Sequence, residues 1–143
     1  MMKKQKLPSA PKAAVGAVII EGGKVLLVKR KYPPKKGKWA IPGGSVNLGE
    51  TLQTAAAREV MEETGLTIEA IDPIYTFDLI EHDPEGKILF HFVIVDLSAK
   101  YISGTPQPAD DVSDARWFAP EEIEELDISE NTKQLLLKTG FIP

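Results

Sequence analysis

Residues 44–66 read GSVNLGETLQTAAAREVMEETGL, and this stretch carries the clearest local structural signals of the chain. Thr51 is a candidate N-cap, because its hydroxyl can accept a hydrogen bond from a free backbone N–H of the first helical turn. The residues from 52 to 64 include consecutive alanines, which are strong helix formers. Gly65 favours termination, since glycine readily adopts the left-handed conformation that ends helices. The sequence therefore predicts a helix over 52–64.

The predicted helix carries Glu59, Glu62 and Glu63 within about one turn. A helix advances about 100° per residue, so these carboxylates share an arc of roughly 100°. Like charges at such spacings cost about 0.2–0.5 kcal/mol per pair on an exposed helix. A hard divalent cation such as Mg²⁺ removes that repulsion, because it prefers clustered carboxylate oxygens with some water. The alternative interpretation is a solvated acidic face, which is the usual role of a run of charges.

Other faces of the same helix carry apolar residues. Val60, Ala57 and Met61 are expected to pack against the body of the protein. The acidic arc would then face a cleft. Gly43 and Gly44 lie in the preceding segment, where the backbone must turn tightly or approach another group closely. A backbone carbonyl there could supply a further hard ligand to a cation.

Strands are predicted on both sides of this helix. The apolar run over 13–20 reads as a buried strand, and the turn at 21–24 connects it to a partner strand over 25–29 as a hairpin. The remaining predicted segments are a loop over 31–38, short strands at 39–41 and 115–118, one or two strands over 66–80, a strand over 88–97, a loop over 103–110, and helices over 120–126 and 129–139. This order predicts an α+β fold in which helices cover a mixed sheet.

Length and composition indicate one globular domain. The chain has 143 residues and no cysteine, so disulfides, thiolate metal sites and cysteine nucleophiles are excluded. The formal net charge of −4 argues against a general nucleic-acid binder, which would present a basic surface. It does not argue against a phosphorylated substrate, because a bound cation can reverse the local field.

Residues 1–11 are predicted to form a flexible leader, and residues 12–143 to form the domain. The leader is basic but lacks an apolar core, so it does not read as a secretory signal. The longest apolar run, over 13–20, is far shorter than the ~20 residues that span a bilayer. We therefore expect a cytoplasmic protein with neither a membrane nor a nucleic acid as its partner.

One pattern resembles the signature box of the Nudix hydrolases at every defined position: Gly44, five residues, Glu50, seven residues, then Arg58-Glu59-Val60-Met61-Glu62-Glu63-Thr64-Gly65-Leu66. Weaker resemblance extends to the opening hairpin, to 39–44 and to 114–118. The resemblance implies an αβα sandwich with a central mixed sheet, in which the box forms a loop–helix–loop motif.

The same resemblance implies a metal site. Glu59, Glu62 and Glu63 would hold a divalent metal, Mg²⁺ or alternatively Mn²⁺, with help from the backbone at Gly43 or Gly44. The metal would neutralise phosphate oxygens and lower the pKa of an attacking water. The expected chemistry is hydrolysis without a covalent intermediate.

Further roles follow from the resemblance. Arg58 and Glu50 would form an orienting pair that stabilises the box. A general base would take the proton of the attacking water. The candidates for this base are two box glutamates, preferred, and two carboxylates in the loop after residue 103: Glu59, Glu63, Asp110 and Asp111.

Residues outside the box are candidate contacts for the substrate. Arg30, at the end of a strand, and Lys38, beside the box, could contact phosphate. Tyr32 and Phe77 could stack on a nucleobase. Asp111 belongs to a loop that supplies a carboxylate in some relatives. For each of them, the alternative is an ordinary surface or structural residue.

The expected substrate is a nucleoside diphosphate derivative. The tract over 104–123 is similar to the branch described as ADP-ribose pyrophosphatases, which form AMP and ribose 5-phosphate. Some ADP-ribose enzymes have a proline fifteen residues past the box, where this chain has Glu81. The alternatives are a nucleoside triphosphate pyrophosphohydrolase, acting for example on oxidised nucleotides, and a nucleotide-binding module without catalysis. A homodimer through the N-terminal strand or the sheet edge is compatible with the sequence.

Overall fold

Seven strands and three helices follow one another in residues 7–143, the part of the chain that this computed structural model describes. In chain order they are β1 Lys12–Glu21, β2 Lys24–Arg30, β3 Trp39–Ala40, β4 Gly43–Ser45, α1 Leu52–Thr64, β5 Thr67–His82, β6 Ile88–Ser103, β7 Val112–Phe118, α2 Pro120–Ile123 and α3 Glu130–Lys138. The predicted leader lies partly outside the described residues, and its remainder, 7–11, is a largely exposed segment before β1.

A mixed sheet forms the centre of the fold. Its first part has the strand order β4-β1-β6-β5, in which β1 and β6 are parallel and the other neighbours antiparallel. Its second part is antiparallel, with β2 lying between β3 and β7. The predicted hairpin of β1 and β2 joins the two parts through the pair Ile20–Val25. The α+β class with a mixed sheet is therefore confirmed.

Helices cover both faces of the sheet over separate hydrophobic clusters. On one face, Ala17 and Ile19 of β1 pack with Val60 of α1. On the other face, Val18 of β1 packs with Leu135 of α3. Because β1 is buried on both faces, its sequence is a continuous apolar run rather than an alternating one. These layers form the αβα sandwich that the resemblance implies.

Helix α1 begins and ends where its capping residues predict. The hydroxyl of Thr51 accepts a hydrogen bond from the backbone N–H of Thr54 at 3.1 Å. At the other end, Gly65 adopts a φ of 76°, in the left-handed region, and its N–H donates to the carbonyl of Met61. The local sequence alone therefore determines the position of this helix.

The buried face of α1 differs from the predicted one. Met61 is 46% exposed, so the expectation that it packs against the body is wrong. Ala57 is partly buried as expected, but the fully buried side chains include Ala56, Val60 and Glu63. These three lie within roughly 60° of one another around the helix axis. One glutamate of the acidic arc thus belongs to the packed face of the helix.

Several strands differ in length from the prediction. β5 is a single strand with irregular register near Pro73, and β6 continues past the predicted end at 97 to Ser103. The segment expected to turn tightly is instead strand β4, although the expected close approach is present. A Cβ on Gly43 would overlap the backbone of Val15. No helix in residues 7–143 is long and apolar enough to cross a membrane.

Gly65→Ala is expected to lower the free energy of unfolding by about 1–2 kcal/mol, because a residue with a Cβ is strained in the left-handed region. Nothing lies within 4 Å of that Cβ beyond the neighbouring backbone, so conformational strain is the main cost. Gly65→Asn is the matched control and should cost less, since asparagine tolerates this region better. Urea unfolding followed by circular dichroism measures both. An alanine variant as stable as the wild type would contradict the assigned conformation.

Candidate active site

A cleft of about 350 Å³ lies on the face of the sheet opposite α1. Strands β1, β5 and β6 form its floor, while the loop after β2 and the first turn of α3 form its walls. The two ends of the cleft differ in chemistry. One end, here called the acidic end, carries the carboxyl groups of Glu59 and Asp111 together with Arg30. The other, the aromatic end, has a floor of phenylalanine and aliphatic side chains.

The carboxyl group of Glu63 is fully buried behind the acidic end. Its Oε1 accepts a hydrogen bond from the backbone N–H of Gly43 at 3.0 Å, while its Oε2 has no donor among the described residues. The Oδ1 of Asp111 is likewise buried without a donor. Burial first, and the neighbouring Asp111 carboxyl second, raise the pKa of Glu63 to about 9. Two facing carboxyl groups of this kind require a shared proton or a cation.

Backbone hydrogen bonds bring Asp111 to α1 across a long separation in sequence. The N–H of Gln107 donates to the carbonyl of Thr64 at 2.9 Å, and that of Ala109 donates to the carbonyl of Glu63 at 3.0 Å. The last carbonyls of a helix lack partners within the helix, so these bonds satisfy them and fix the loop between β6 and β7. Asp111 therefore lies in the same site as Glu63.

Glu59 lies at the acidic end and lines the cleft. A Cβ on Gly44 would overlap the carboxyl group of Glu59. The absence of a side chain at this glycine therefore leaves the space that the carboxylate occupies. The Glu59 side chain is 13% exposed. Burial raises the pKa of Glu59, whereas the hydrogen bond from Arg58 lowers it. This carboxylate is thus partly desolvated but open to the cleft.

Arg58 ties the loop at the start of the box to the helix. Its guanidinium donates to both carboxylate oxygens of Glu50, at 2.7 and 2.9 Å, and to the carbonyl of Ser45 at 2.8 Å. It also donates to Glu59 at 3.0 Å and to Glu62 at 3.2 Å. The bond between Arg58 and Glu50 raises the pKa of the first and lowers the pKa of the second. Both groups therefore stay charged, and the loop and the helix are held together.

Glu62 does not join the other two box glutamates. Its side chain is 46% exposed and pairs with Arg58, which holds it away from the buried carboxyl groups. Within residues 7–143, no three acidic or histidine side chains lie together as a preformed cation site, so the metal role of Glu59, Glu62 and Glu63 stays a prediction. Besides burial, both Glu62 and Asp111 raise the pKa of Glu59, whereas Asp111 and Glu59 raise that of Glu63, so Glu62 acts on the site only through Glu59.

The structure places only some of the predicted substrate contacts at the cleft. Arg30 and Phe77 line it, but Lys38 and Tyr32 do not. Lys38 pairs with Asp127 at 3.0 Å at the surface, and Tyr32 is 58% exposed. The reason lies in the fold of the loop after β2, which presents a different set of residues to the cleft: Pro33, Pro34 and Lys35.

The cleft also contains polar residues that no motif in the sequence identifies. Asp96 of β6 and Asn131 of α3 both line it. Asp96 interrupts an alternating apolar face that contains Phe92 and Ile94, and this alternation could have revealed it once β6 was recognised as a strand. Asn131 has no such signal, because its position depends on how α3 packs on the sheet.

Comparison with known proteins identifies the family of this chain. The NUDIX domain family matches residues 10–138. An ADP-ribose pyrophosphatase from Methanocaldococcus jannaschii is 37% identical over 117 residues, which cover 82% of this chain and 67% of that protein. An oxidized purine nucleoside triphosphate hydrolase from Danio rerio is 32% identical over 113 residues, which cover 74% of this chain and 65% of that protein.

The fold is shared with a solved structure as well. A MutT NUDIX hydrolase from Burkholderia pseudomallei superposes with a TM-score of 0.78 at 30% sequence identity, covering 91% of this chain and 98% of that one. The complete box, the αβα sandwich and the match over most of the chain lead to one conclusion: this chain belongs to the Nudix family and is a Nudix pyrophosphohydrolase.

Proposed function

We propose that this protein hydrolyses the diphosphate linkage of ADP-ribose to AMP and ribose 5-phosphate, with Mg²⁺ as its cofactor and Mn²⁺ as the alternative. The observation that carries the proposal is a cleft with an aromatic floor at one end and, at the other, buried carboxyl oxygens that have no donor among residues 7–143. The acidic end suits a cation with a diphosphate, and the aromatic end suits a nucleobase. The 37% identity to an ADP-ribose pyrophosphatase favours this substrate.

The donor set at the acidic end fits a hard divalent cation. Glu59, Glu63 and Asp111 offer only oxygen ligands, and the unpartnered oxygens of the last two are those that a cation would satisfy. Glu62 at the rim and the backbone of the preceding glycines are further candidate ligands. When bound, the cation supplies neutralisation of the phosphate oxygens and a lowered pKa for the attacking water.

Glu59 is the residue best placed to take the proton of the attacking water. It lines the cleft, and Arg58 donates only to its Oε1, so its Oε2 is free of that bond. Glu63 is fully buried, and its Oε1 is already bound to the N–H of Gly43. We therefore assign proton transfer to Glu59 and cation binding to Glu63 with Asp111.

The remaining site residues position the box or bind the substrate. Arg58 and Glu50 are positioning residues, since their bonds hold the loop and the helix of the box together. Arg30 lines the cleft beside the acidic end, and its cation suits phosphate oxygens. Phe77 lies in the floor on β5, where its ring can stack on a nucleobase.

Hydrolysis of an oxidised purine nucleoside triphosphate is the second candidate, because one relative carries that activity in its name. The same acidic end would serve this reaction, and the base would again occupy the aromatic end. The nucleotide-binding module without catalysis, the other alternative from the sequence, is not proposed, because the box glutamates are all present.

The purified protein is expected to hydrolyse ADP-ribose in the presence of Mg²⁺, and chelation of the metal should abolish turnover. A panel that adds a nucleotide sugar, a dinucleoside polyphosphate, and normal and oxidised nucleoside triphosphates identifies the preferred substrate by chromatography of the products. Faster hydrolysis of an oxidised nucleoside triphosphate would replace ADP-ribose by the second candidate. Tight binding of one member without any turnover would favour the binding module.

Glu59→Gln and Glu63→Gln are expected to separate proton transfer from cation binding. The first should lower kcat by about 100-fold or more, while Mg²⁺ still raises the melting temperature. The second should lose both turnover and the Mg²⁺-dependent rise in melting temperature. Glu69→Gln, at an exposed position of β5, is the matched control and should behave as wild type. If Glu63→Gln kept the full response to Mg²⁺, the assignment of Glu63 would be wrong.

Gly44→Ala is expected to lower kcat/KM by about 10- to 100-fold, because the added Cβ would displace the Glu59 carboxyl. Ser45→Ala is the control, since this side chain is exposed and its backbone carbonyl still accepts the bond from Arg58. Steady-state kinetics with the preferred substrate measures both variants. Wild-type kinetics for Gly44→Ala would show that the position of the Glu59 carboxyl does not matter for turnover.

A further inference from the structure

A largely buried carboxyl group lies in the floor of the cleft, outside the acidic end. It belongs to Asp96 of β6, which is 3% exposed and lines the cleft. No hydrogen bond or ion pair reaches this carboxyl from the residues between 7 and 143, and burial alone raises its pKa to about 7. The Asp96 oxygens border the cleft, so a molecule bound there can donate a hydrogen bond to them.

The neighbouring strand makes room for this carboxyl group. Gly16 of β1 pairs with Asp96, and a Cβ on Gly16 would overlap the Oδ1 of Asp96. The same Cβ would also crowd the side chain of Ile41 at 2.8 Å. The chain therefore combines an unpaired buried carboxyl with a glycine that admits it. Burial raises the pKa of Asp96, so an apolar side chain would suit the floor better, and a polar group placed there points to a ligand in the cleft as its partner.

The register of the sheet places Asp96 about one nucleotide length from the acidic end. Gly43, whose N–H holds Glu63, pairs with Gly16, and Gly16 pairs with Asp96. Two strand spacings separate Gly43 from Asp96, which corresponds to roughly 10 Å. This distance is comparable to the span from the phosphorus to the far edge of the base in a nucleotide.

The surface beside Asp96 suits a flat ring. Ile94 and Phe92 follow on the same face of β6, and their partners on β5 are Phe77 and Leu79. A base lying on these side chains would direct its polar edge toward Asp96. A carboxylate repels a phosphate but accepts hydrogen bonds from N–H groups. Asp96 would therefore select a base that carries an amino group.

We propose that Asp96 is a specificity-determining residue, which accepts a hydrogen bond from the exocyclic amino group of a purine base. The proposal rests on the proposed function, because it assumes that the phosphates occupy the acidic end. A hydrogen bond to such a group is worth about 10- to 100-fold in affinity. Adenine and guanine both carry an exocyclic amino group, and titration with nucleotides that lack this group distinguishes them.

Isothermal titration of the whole protein with nucleoside monophosphates tests this proposal without turnover. AMP is compared with purine riboside 5′-monophosphate, which lacks the amino group of adenine, and GMP with IMP, which lacks that of guanine. The wild type should bind one amino-bearing nucleotide about 10-fold or more tightly than its counterpart. The pair that shows the difference identifies the base.

Asp96→Ala should remove this preference and leave the affinity for the nucleotide without the amino group unchanged. The variant loses no hydrogen bond or ion pair to the described part of the chain, so its melting temperature should not fall. Asp96→Asn retains a carbonyl acceptor and should keep part of the preference. Asp78→Ala, at an exposed position of β5, is the matched control and should bind as the wild type does.

A wild type without a preference in either pair, or an Asp96→Ala variant that keeps the preference, would overturn the proposal. Failure of the proposed function looks different. If ADP-ribose is not hydrolysed but the Asp96-dependent preference is present, the role of Asp96 stands while the reaction assigned to the protein falls. If ADP-ribose is hydrolysed and Asp96→Ala binds every nucleotide as the wild type does, the reaction stands and the role of Asp96 falls.

Discussion

The buried carboxyl group of Glu63 is the constraint on which the rest of the site depends. An ionised carboxylate away from water is costly unless donors or a cation surround it. The backbone N–H of Gly43 satisfies one oxygen, and the other faces Asp111 without a donor in the part of the chain described. Strand β4, the end of α1 and the loop before β7 are arranged around this group. The fold thus creates a buried site whose carboxyl oxygens a cation would stabilise.

The ion pairs of Arg58 reduce the repulsion between the buried carboxyl groups and the other carboxylates of the box. Arg58 neutralises Glu50 and pairs with Glu62 at the solvent-exposed rim, so the negative charge of the rim is compensated in part. Glu59 receives one bond from the same guanidinium and remains open to the cleft. A single arginine therefore divides the acidic residues of the box into a structural group and a group available to a cation and a substrate.

Local signals explain what could be predicted from the sequence. The caps at Thr51 and Gly65 determine α1 through neighbouring residues alone, and the complete box indicates the chemistry. The burial of Glu63 could not be predicted, because it depends on a loop that approaches from more than forty residues away. The exclusion of Lys38 and Tyr32 from the cleft depends in the same way on the path of a loop. Capping residues predict where a helix ends, but neither they nor periodicity predict which loops meet and which side chains those loops bury.

The most direct test of the cation site is anomalous diffraction from crystals of the protein soaked with Mn²⁺, which scatters strongly and replaces Mg²⁺ at oxygen sites. We predict an anomalous peak at bonding distance from carboxylate oxygens of Glu63 and Asp111, with Oε2 of Glu63 and Oδ1 of Asp111 turned toward it. A peak confined to the exposed Glu62, or no peak while Glu63 and Asp111 remain in direct contact, would contradict the proposal that this buried pair exists to hold a cation.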